Sequence, residues 1–381
     1  MQEIQQKQWA TRAIFFLTGF GFTVWAGLIP LIKFRLNLGD DVMGLVILCL
    51  GLGSLVTMPM GSKLCNHYGC QRMIGLGAVL FGCLLPLLAL APSTATLIVF
   101  VLCFGATAGL LEASMNIHSV LVEKLSPKSA MSSYHAMFSA GSLVGASCFS
   151  LLLFLGSTGL INSLLGAALV VALRFKATPY LLPYGDREAK GKKTPLFAIP
   201  KGIVVLIGLV AFTSFLVEGA VMDWGGIYLT TVHNLDISLS SIGFAIFSVG
   251  MLLMRTLGDR IIHSVGGQPL AYLGLLIGLI AYTTLIVADS LWLVLPAFFF
   301  VGIGMALIIP IFFALITKQN DMATGTAAAA CTTSGYLGLM IGPGIIGVIA
   351  EYTSLTTAFG VLCLLLLVML MLARRIYQQM G

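Results

Sequence analysis

Residues 250–274 read Gly-Met-Leu-Leu-Met-Arg-Thr-Leu-Gly-Asp-Arg-Ile-Ile-His-Ser-Val-Gly-Gly-Gln-Pro-Leu-Ala-Tyr-Leu-Gly, and residues 53–77 carry glycine at four matching places. Gly53, Gly61, Gly69 and Gly77 lie 197 residues before Gly250, Gly258, Gly266 and Gly274. The same offset carries Gly105, Gly141 and Gly145 onto Gly302, Gly338 and Gly342. Seven of the 19 glycines before residue 185 therefore find a partner, where the later frequency, 24 in 197, predicts about two. The register runs without a gap from residue 53 to 145, so the chain holds two copies of one structural unit. In a chain this apolar, a parallel duplication points to a secondary transporter whose substrate site lies where the repeats meet.

Working outward, composition places both copies in a bilayer. Hydrophobic residues make up 59% of the 381 and charged residues 9%, against about half and a quarter in a soluble domain. Twelve apolar runs are long enough to cross a hydrocarbon core of about 30 Å: 12–32, 42–62, 72–91, 96–121, 130–154, 157–174, 202–229, 240–262, 269–287, 291–316, 325–349 and 354–373. Each must be helical, because lipid offers no partner to an open backbone group. Of the 20 lysines and arginines, 18 fall on the side that holds both ends and the middle of the chain, and only Lys33 and Arg35 fall on the other. That asymmetry predicts cytoplasmic N and C termini. The formal charge of +6 then reflects topology and lipid headgroups, and no nucleic-acid partner is expected.

The first run has no small-residue cleavage site and is expected to remain as a helix. Cys65 and Cys70 are the only neighbouring pair among eight cysteines, in a loop on the reducing side, so neither a disulfide nor a metal site is expected. Residues 175–201 hold the only long polar stretch and read as a cytoplasmic linker between 1–174 and 202–381. Asp40, Asp41 and Asp236 precede spans 2 and 8, where aspartate caps exposed N–H groups. Gly141 with Gly145, and Gly338 with Gly342, allow close helix approach in spans 5 and 11. Pro343 and Gly344 mark a place where span 11 can bend.

The segment Ser62-Lys-Leu-Cys-Asn-His-Tyr-Gly69 resembles a worn copy of the major facilitator superfamily loop signature Gly-x-Leu-Ala-Asp-Arg-x-Gly. Leu64 and Gly69 match; Ser62, Asn66 and His67 replace the glycine, aspartate and basic residue. A second copy surrounds Arg255, Gly258, Asp259, Arg260 and Gly266. The resemblance implies a conformational latch at Leu64, Asn66, Gly69, Arg255, Gly258 and Asp259, weakened where Asn66 replaces the acid. Four further segments look like the fucose-permease-like branch, which includes uncharacterised bacterial inner-membrane permeases. They are Glu112-Ala-Ser-Met-Asn116, Tyr134-His135 with Phe138-Ser-Ala-Gly141, Glu218-Gly-Ala-Val-Met-Asp223-Trp224, and Gly335-Tyr336-Leu-Gly338 leading to Gly342-Pro343. Trp25-Ala-Gly-Leu-Ile-Pro30 lacks the aspartate of fucose permease. The expected architecture is an all-α membrane protein with 12 transmembrane helices in two six-helix bundles related by a parallel repeat, the major facilitator fold.

Glu112, Glu218 and Asp223 are the carboxylates well inside spans. An ionised side chain at that depth costs roughly 2.5–3.5 kcal/mol on insertion scales, so such residues usually line a cavity and have a task. In span 4, Gly105, Ala108, Gly109, Glu112, Asn116 and Ser119 recur at three- and four-residue steps as one small, polar stripe. The Asn116 amide is placed to bond the Glu112 carboxyl. Burial makes a carboxyl sensitive to its surroundings near neutrality, which proton coupling requires; a permanently protonated acid bonding backbone is the plain alternative. Glu112 maps onto Ile309 and Glu218 onto Gly21, so each acid occurs in one half only. Proton coupling is assigned to Glu112 and His135, the latter a residue that titrates near neutrality. Substrate binding is assigned to Trp25, Asn116, Glu218, Asp223 and Tyr336. Trp25 is suited either to stacking on a solute or to packing, and Asp223 sits near the outer end beside Trp224, where an interfacial aspartate is unremarkable. His67, His118, His233 and His263 read as solvated, close to the membrane surfaces.

No phosphate-binding Gly-rich Lys motif occurs, so ATP-driven transport is unsupported. No cluster has metal-ligand spacing, and neither an enzyme, a cofactor nor a metal is expected. The expected protein is a monomeric secondary active transporter of the inner (plasma) membrane, whose partners are a small-molecule substrate, protons and the lipid bilayer. Proton-coupled symport of a small polar organic solute, sugar-like or a related metabolite, by alternating access is the leading reading. Proton-driven efflux of drugs or metabolites is the alternative. Span 5 has Ala146 after Gly145 in place of the Gly-Pro common in antiporters, which leans towards symport.

Overall fold

The computed structural model describes residues 2–126, 130–185 and 199–380. Lys128, Arg187, Lys190, Lys192, Lys193 and Pro195, which carry part of the charge and linker reading, lie outside the described residues. The helices are α1 (Gln2–Leu36), α2 (Asp40–Tyr68), α3 (Cys70–Leu90), α4 (Thr94–Leu125), α5 (Met131–Phe154), α6 (Gly159–Ala177), α7 (Ile203–Thr231), α8 (Ile242–Val265), α9 (Gly267–Val287), α10 (Leu291–Met305), α11 (Ile308–Leu315), α12 (Thr324–Tyr352) and α13 (Leu355–Met380). Among the described residues they make twelve spans long and apolar enough to cross a bilayer, α10 and α11 together forming the tenth. The tenth run, expected as one helix, is interrupted at Ala306–Leu307.

The repeated glycines have a common physical cause. A Cβ on Gly53 would meet the Leu102 carbonyl and one on Gly105 the Leu50 carbonyl, so α2 and α4 touch backbone to backbone. In the second copy Gly250 meets the Phe299 carbonyl and Gly302 the Phe247 carbonyl. Those contact partners are themselves 197 residues apart, so the duplication preserves a helix crossing, not merely a composition. Gly69 and Gly266 each form the one-residue turn between two helices at φ 90, a conformation in which a Cβ is strained. Most of the Ser62–Gly69 signature is therefore the last turns of α2, with Gly69 alone outside the helices.

Backbone contacts sort the chain into two compact units, and the division is not only at the linker. The first unit comprises Met1–Leu38, Cys49–Lys192 and Asp236–Ala245; the second comprises Gly39–Leu48, Lys193–Leu235 and Ile246–Gly381. In the second unit the first turns of α2 lie against α12. The Glu351 carboxylate accepts the Asp40 N–H at 2.7 Å, and a Cβ on Gly44 would sit 2.8 Å from the Pro343 carbonyl. Asp40 thus receives a cap from another helix, while Asp41 accepts only the adjacent Val42 N–H at 2.6 Å. Asp236 accepts the Ser238 N–H at 2.8 Å and caps a single 3-10 turn ahead of α8. The Ser238 side chain and backbone hold its carboxyl below the usual range.

In the first unit the start of the linker is docked. The Leu182 N–H donates to His118 Nε2 at 2.9 Å, and the Leu182 carbonyl accepts the Gln71 N–H at 3.1 Å. Because Nε2 accepts, the ring proton sits on Nδ1, 3.3 Å from Thr11 Oγ1, whose hydroxyl donates to the Lys7 carbonyl at 2.8 Å. His118 is therefore a fully buried structural anchor, where the sequence pointed to a solvated residue. Cys65 and Cys70 are likewise fully buried and not in an open loop. Lys33 and Arg35, the two basic residues against the charge trend, hold the Leu38 and Ala91 carbonyls at 2.9 Å each.

Candidate solute and proton site

In the first unit, Glu112 occupies the middle of α4, half-buried. The small residues below it are spent on packing: Ser54 donates to the Gly105 carbonyl at 2.8 Å and Thr57 to the Ala106 carbonyl at 2.7 Å. The stripe therefore continues as a chemical site only from Glu112 upward in sequence. Asn116 Nδ2 donates to the Glu112 backbone carbonyl at 2.9 Å, not to its carboxyl as the four-residue spacing suggested. The carboxyl of Glu112 is left to other partners while the amide stiffens the helix beside it. His135, in the second turn of α5, is exposed and meets the Phe15 ring edge-on at 5.3 Å. Trp25 is fully enclosed, 6.1 Å from the Phe104 ring. Its indole N–H has no hydrogen-bond partner among the described residues. Trp25 thus sits in the aromatic core of the first unit, one ring away from Phe104.

In the second unit, Glu218 of α7 faces Arg255 of α8, with Oε2 and Nη2 3.7 Å apart and side chains 16% and 26% exposed. This pairing was missed in the sequence, where Arg255 was counted with the latch after span 8. It lies inside α8, ten residues before the last residue of that helix, together with Gly258 and Asp259. The signal was present: an arginine ten residues, about 15 Å at a 1.5 Å rise, from the helix end demands a counter-charge. One turn before Glu218, Phe215 stacks on Tyr336 of α12 at 5.9 Å and 13°, so an aromatic pair borders the charged one. Tyr282 of α9 donates to the Val217 carbonyl at 2.8 Å. Asp223 is 4% exposed, and its Oδ1 has no hydrogen-bond partner among the described residues. Among the latch residues, Asn66 and the Cys65 carbonyl press on Gly185, so the start of the linker covers this end of α2.

Charged and polar groups inside twelve apolar spans of the described residues, in a chain built from a duplicated unit, point to a membrane transporter. The sequence profile of the Major Facilitator Superfamily matches residues 13–338, and the chain belongs to that superfamily. An uncharacterised MFS-type transporter from Yersinia pestis is 39% identical over 372 residues, 97% of this chain and 96% of its own. Among solved structures, a mutant of the nucleoside transporter NupG aligns with a TM-score of 0.81 at 13% identity, over 97% of this chain and 99% of its own. A bacterial homologue of the human lysosomal transporter Spinster, inward-facing and occupied, aligns with a TM-score of 0.72 at 14% identity, covering 97% and 96%. At these identities the structural likenesses speak for the fold alone. The protein is a multi-pass membrane transporter and not an enzyme.

Proposed function

We propose that the chain is a proton-coupled symporter of a small polar organic solute, working by alternating access in the inner membrane with both termini cytoplasmic. The observation that carries the reading is the division of acids between the repeats. Among the described residues Glu112 of the first unit has no ion-pair partner, whereas Glu218 in the second is paired with Arg255 at 3.7 Å. Interactions that differ in this way suit different tasks: an unpaired carboxyl exchanges a proton, and a paired one contacts solute. In this reading His135 acts as a relay from the cytoplasmic side, and Trp25, Asn116, Asp223 and Tyr336 are further solute contacts. The likeness of four segments to the fucose-permease-like branch supports a sugar-like or related metabolite, and the missing Gly-Pro in α5 favours symport over efflux.

Glu112→Gln tests the assignment, since the amide imitates the protonated acid but cannot release a proton. Proteoliposomes screened against sugars, organic acids and nucleosides for solute-induced proton movement provide the assay. In Glu112→Gln, uphill uptake driven by a pH gradient is expected to collapse while exchange at equal pH survives. Wild-type uphill uptake by this variant would return Glu112 to a structural role and move coupling to Glu218 or His135.

A further inference from the structure

We propose that Glu351 is a latch of the outer closure: its carboxylate caps α2 from α12, and this cap must break each time the outer side opens. The inference rests on the alternating-access reading and its topology. Its basis is an exchange of matched segments. Gly39–Leu48, the start of α2, groups with the second unit, and Asp236–Ala245, which leads into α8, groups with the first. The bounds of the two segments differ by 197 residues, the offset of the repeat. The duplication has therefore kept a pair of arms, each seated in the other copy, and alternating access requires such arms to leave their seats.

The two arms are held differently. In the second unit the α2 arm lies backbone to backbone on α12. A Cβ on Gly347 would meet the Asp40 carbonyl at 2.5 Å and the Gly44 Cα at 2.9 Å, and one on Gly344 the Leu48 side chain at 3.1 Å. Helix α2 begins at Asp40, so its cap position falls on Gly39, which has no side chain to offer the first N–H groups. Glu351 fills that gap from α12. Its Oε2 accepts the Asp40 N–H at 2.7 Å and lies 2.9 Å from where a Cβ of Gly39 would be. In the other copy the residue matching Gly39 is Asp236, which caps its own turn through the Ser238 N–H at 2.8 Å. The residue matching Glu351 there is Phe154. One arm thus carries its cap with it, whereas the α2 arm leaves its cap behind on α12. A carboxylate at the positive end of a helix strengthens the bond it accepts. Glu351 is exposed, so water takes over the N–H as the latch parts, which keeps the step reversible.

The reporter is Leu48→Cys in the cysteine-free full chain, because the Leu48 side chain lies on Gly344 in the seam. Right-side-out membrane vesicles are treated from outside with a membrane-impermeant maleimide. Glu351→Ala is expected to speed labelling about fivefold, the factor a helix cap is typically worth. Glu351→Gln keeps an acceptor and loses the charge, and is expected to speed it about twofold. Amide hydrogen exchange over residues 38–46 is expected to quicken in Glu351→Ala. Adding Gly39→Asp to Glu351→Ala gives α2 a cap of its own, as Asp236 gives the other arm. Exchange is then expected to return towards the wild-type rate while labelling stays fast, because the new cap travels with the arm. Labelling that returns to the wild-type rate together with exchange would make Glu351 a helix stabiliser only. Labelling unchanged in Glu351→Ala, or absent in every variant, would show that no latch acts there. Each of these results overturns the proposal. Labelling needs neither solute nor a proton gradient, so proton coupling is still decided separately by Glu112→Gln.

Discussion

Two residues show how burial separates a structural role from a functional one. His118 has both ring nitrogens engaged, one by the Leu182 N–H and one by Thr11. Its imidazole therefore has no capacity left for a solute or a shuttled proton. His118→Ala strips the Leu182 N–H of its partner, and an unpaired buried donor costs about 1–3 kcal/mol. Faster hydrogen exchange over residues 178–185, with transport retained, is the expected result. Asp223 is the opposite case. Its buried carboxyl has an oxygen without a hydrogen-bond partner among the described residues, an arrangement that lowers stability unless something else uses it. Asp223→Asn is therefore expected to raise the midpoint of thermal unfolding while lowering solute uptake. A variant no more stable than wild type, with full uptake, would make Asp223 a packing residue.

At the scale of the helix, the repeated glycines set which pairs can cross closely. Gly105 and Gly302 each place a would-be Cβ against a carbonyl of the neighbouring helix, a contact that backbone cannot relieve by changing rotamer. Gly105→Leu and Gly302→Leu are each expected to destabilise by at least the 1–3 kcal/mol (roughly) typical of overpacking. Gly360 in α13 supplies the control, because a Cβ there meets nothing within 4 Å. Gly360→Ala is expected to be neutral or stabilising by up to about 1 kcal/mol, the helix-propensity difference. Similar losses at all three positions would show that glycine acts here through helix flexibility and not through close approach. The turn glycines belong to the same logic, since Gly69 and Gly266 occupy equivalent places at the same φ of 90.

For the molecule as a whole, two copies of one unit carry different chemistry on the same packing. Equivalent crossings are kept, whereas Glu112 faces Ile309 in the alignment and Arg255 faces Met58. The two copies thus share one frame of helix crossings and differ in the acids and bases it carries. The orientation of that frame rests on the lysine and arginine distribution. Single cysteines at Lys190 and Asn234, in a cysteine-free background, should label from opposite sides of the membrane. Labelling of both from outside the cell would reverse or break the topology. A reversible crosslink between Gly44→Cys and Gly347→Cys, which approach closely in the second unit, is expected to stop transport if the first turns of α2 must part from α12 in each cycle. Full activity in the crosslinked protein would show that this contact persists throughout.

The number of spans, the duplication and the superfamily were determined by the sequence alone, because each depends on quantities that accumulate along the chain. Apolar length is set by bilayer thickness, and seven glycines in one register cannot be produced by local chance. The acids were legible as well, since a carboxylate in an apolar run is conspicuous wherever its side chain points. What only the tertiary structure decided was partnership. The Asn116 amide turns to the backbone carbonyl of Glu112, Trp25 is walled in beside Phe104, and His118 is claimed by the linker. Arg255 finds Glu218 across two helices, and the first turns of α2 join the second unit through Glu351. Periodicity places a residue on a face of its own helix, but the angle and depth at which another helix meets that face are set by packing between distant segments. Two residues 37 apart in the chain therefore became an ion pair that no spacing within either helix could reveal.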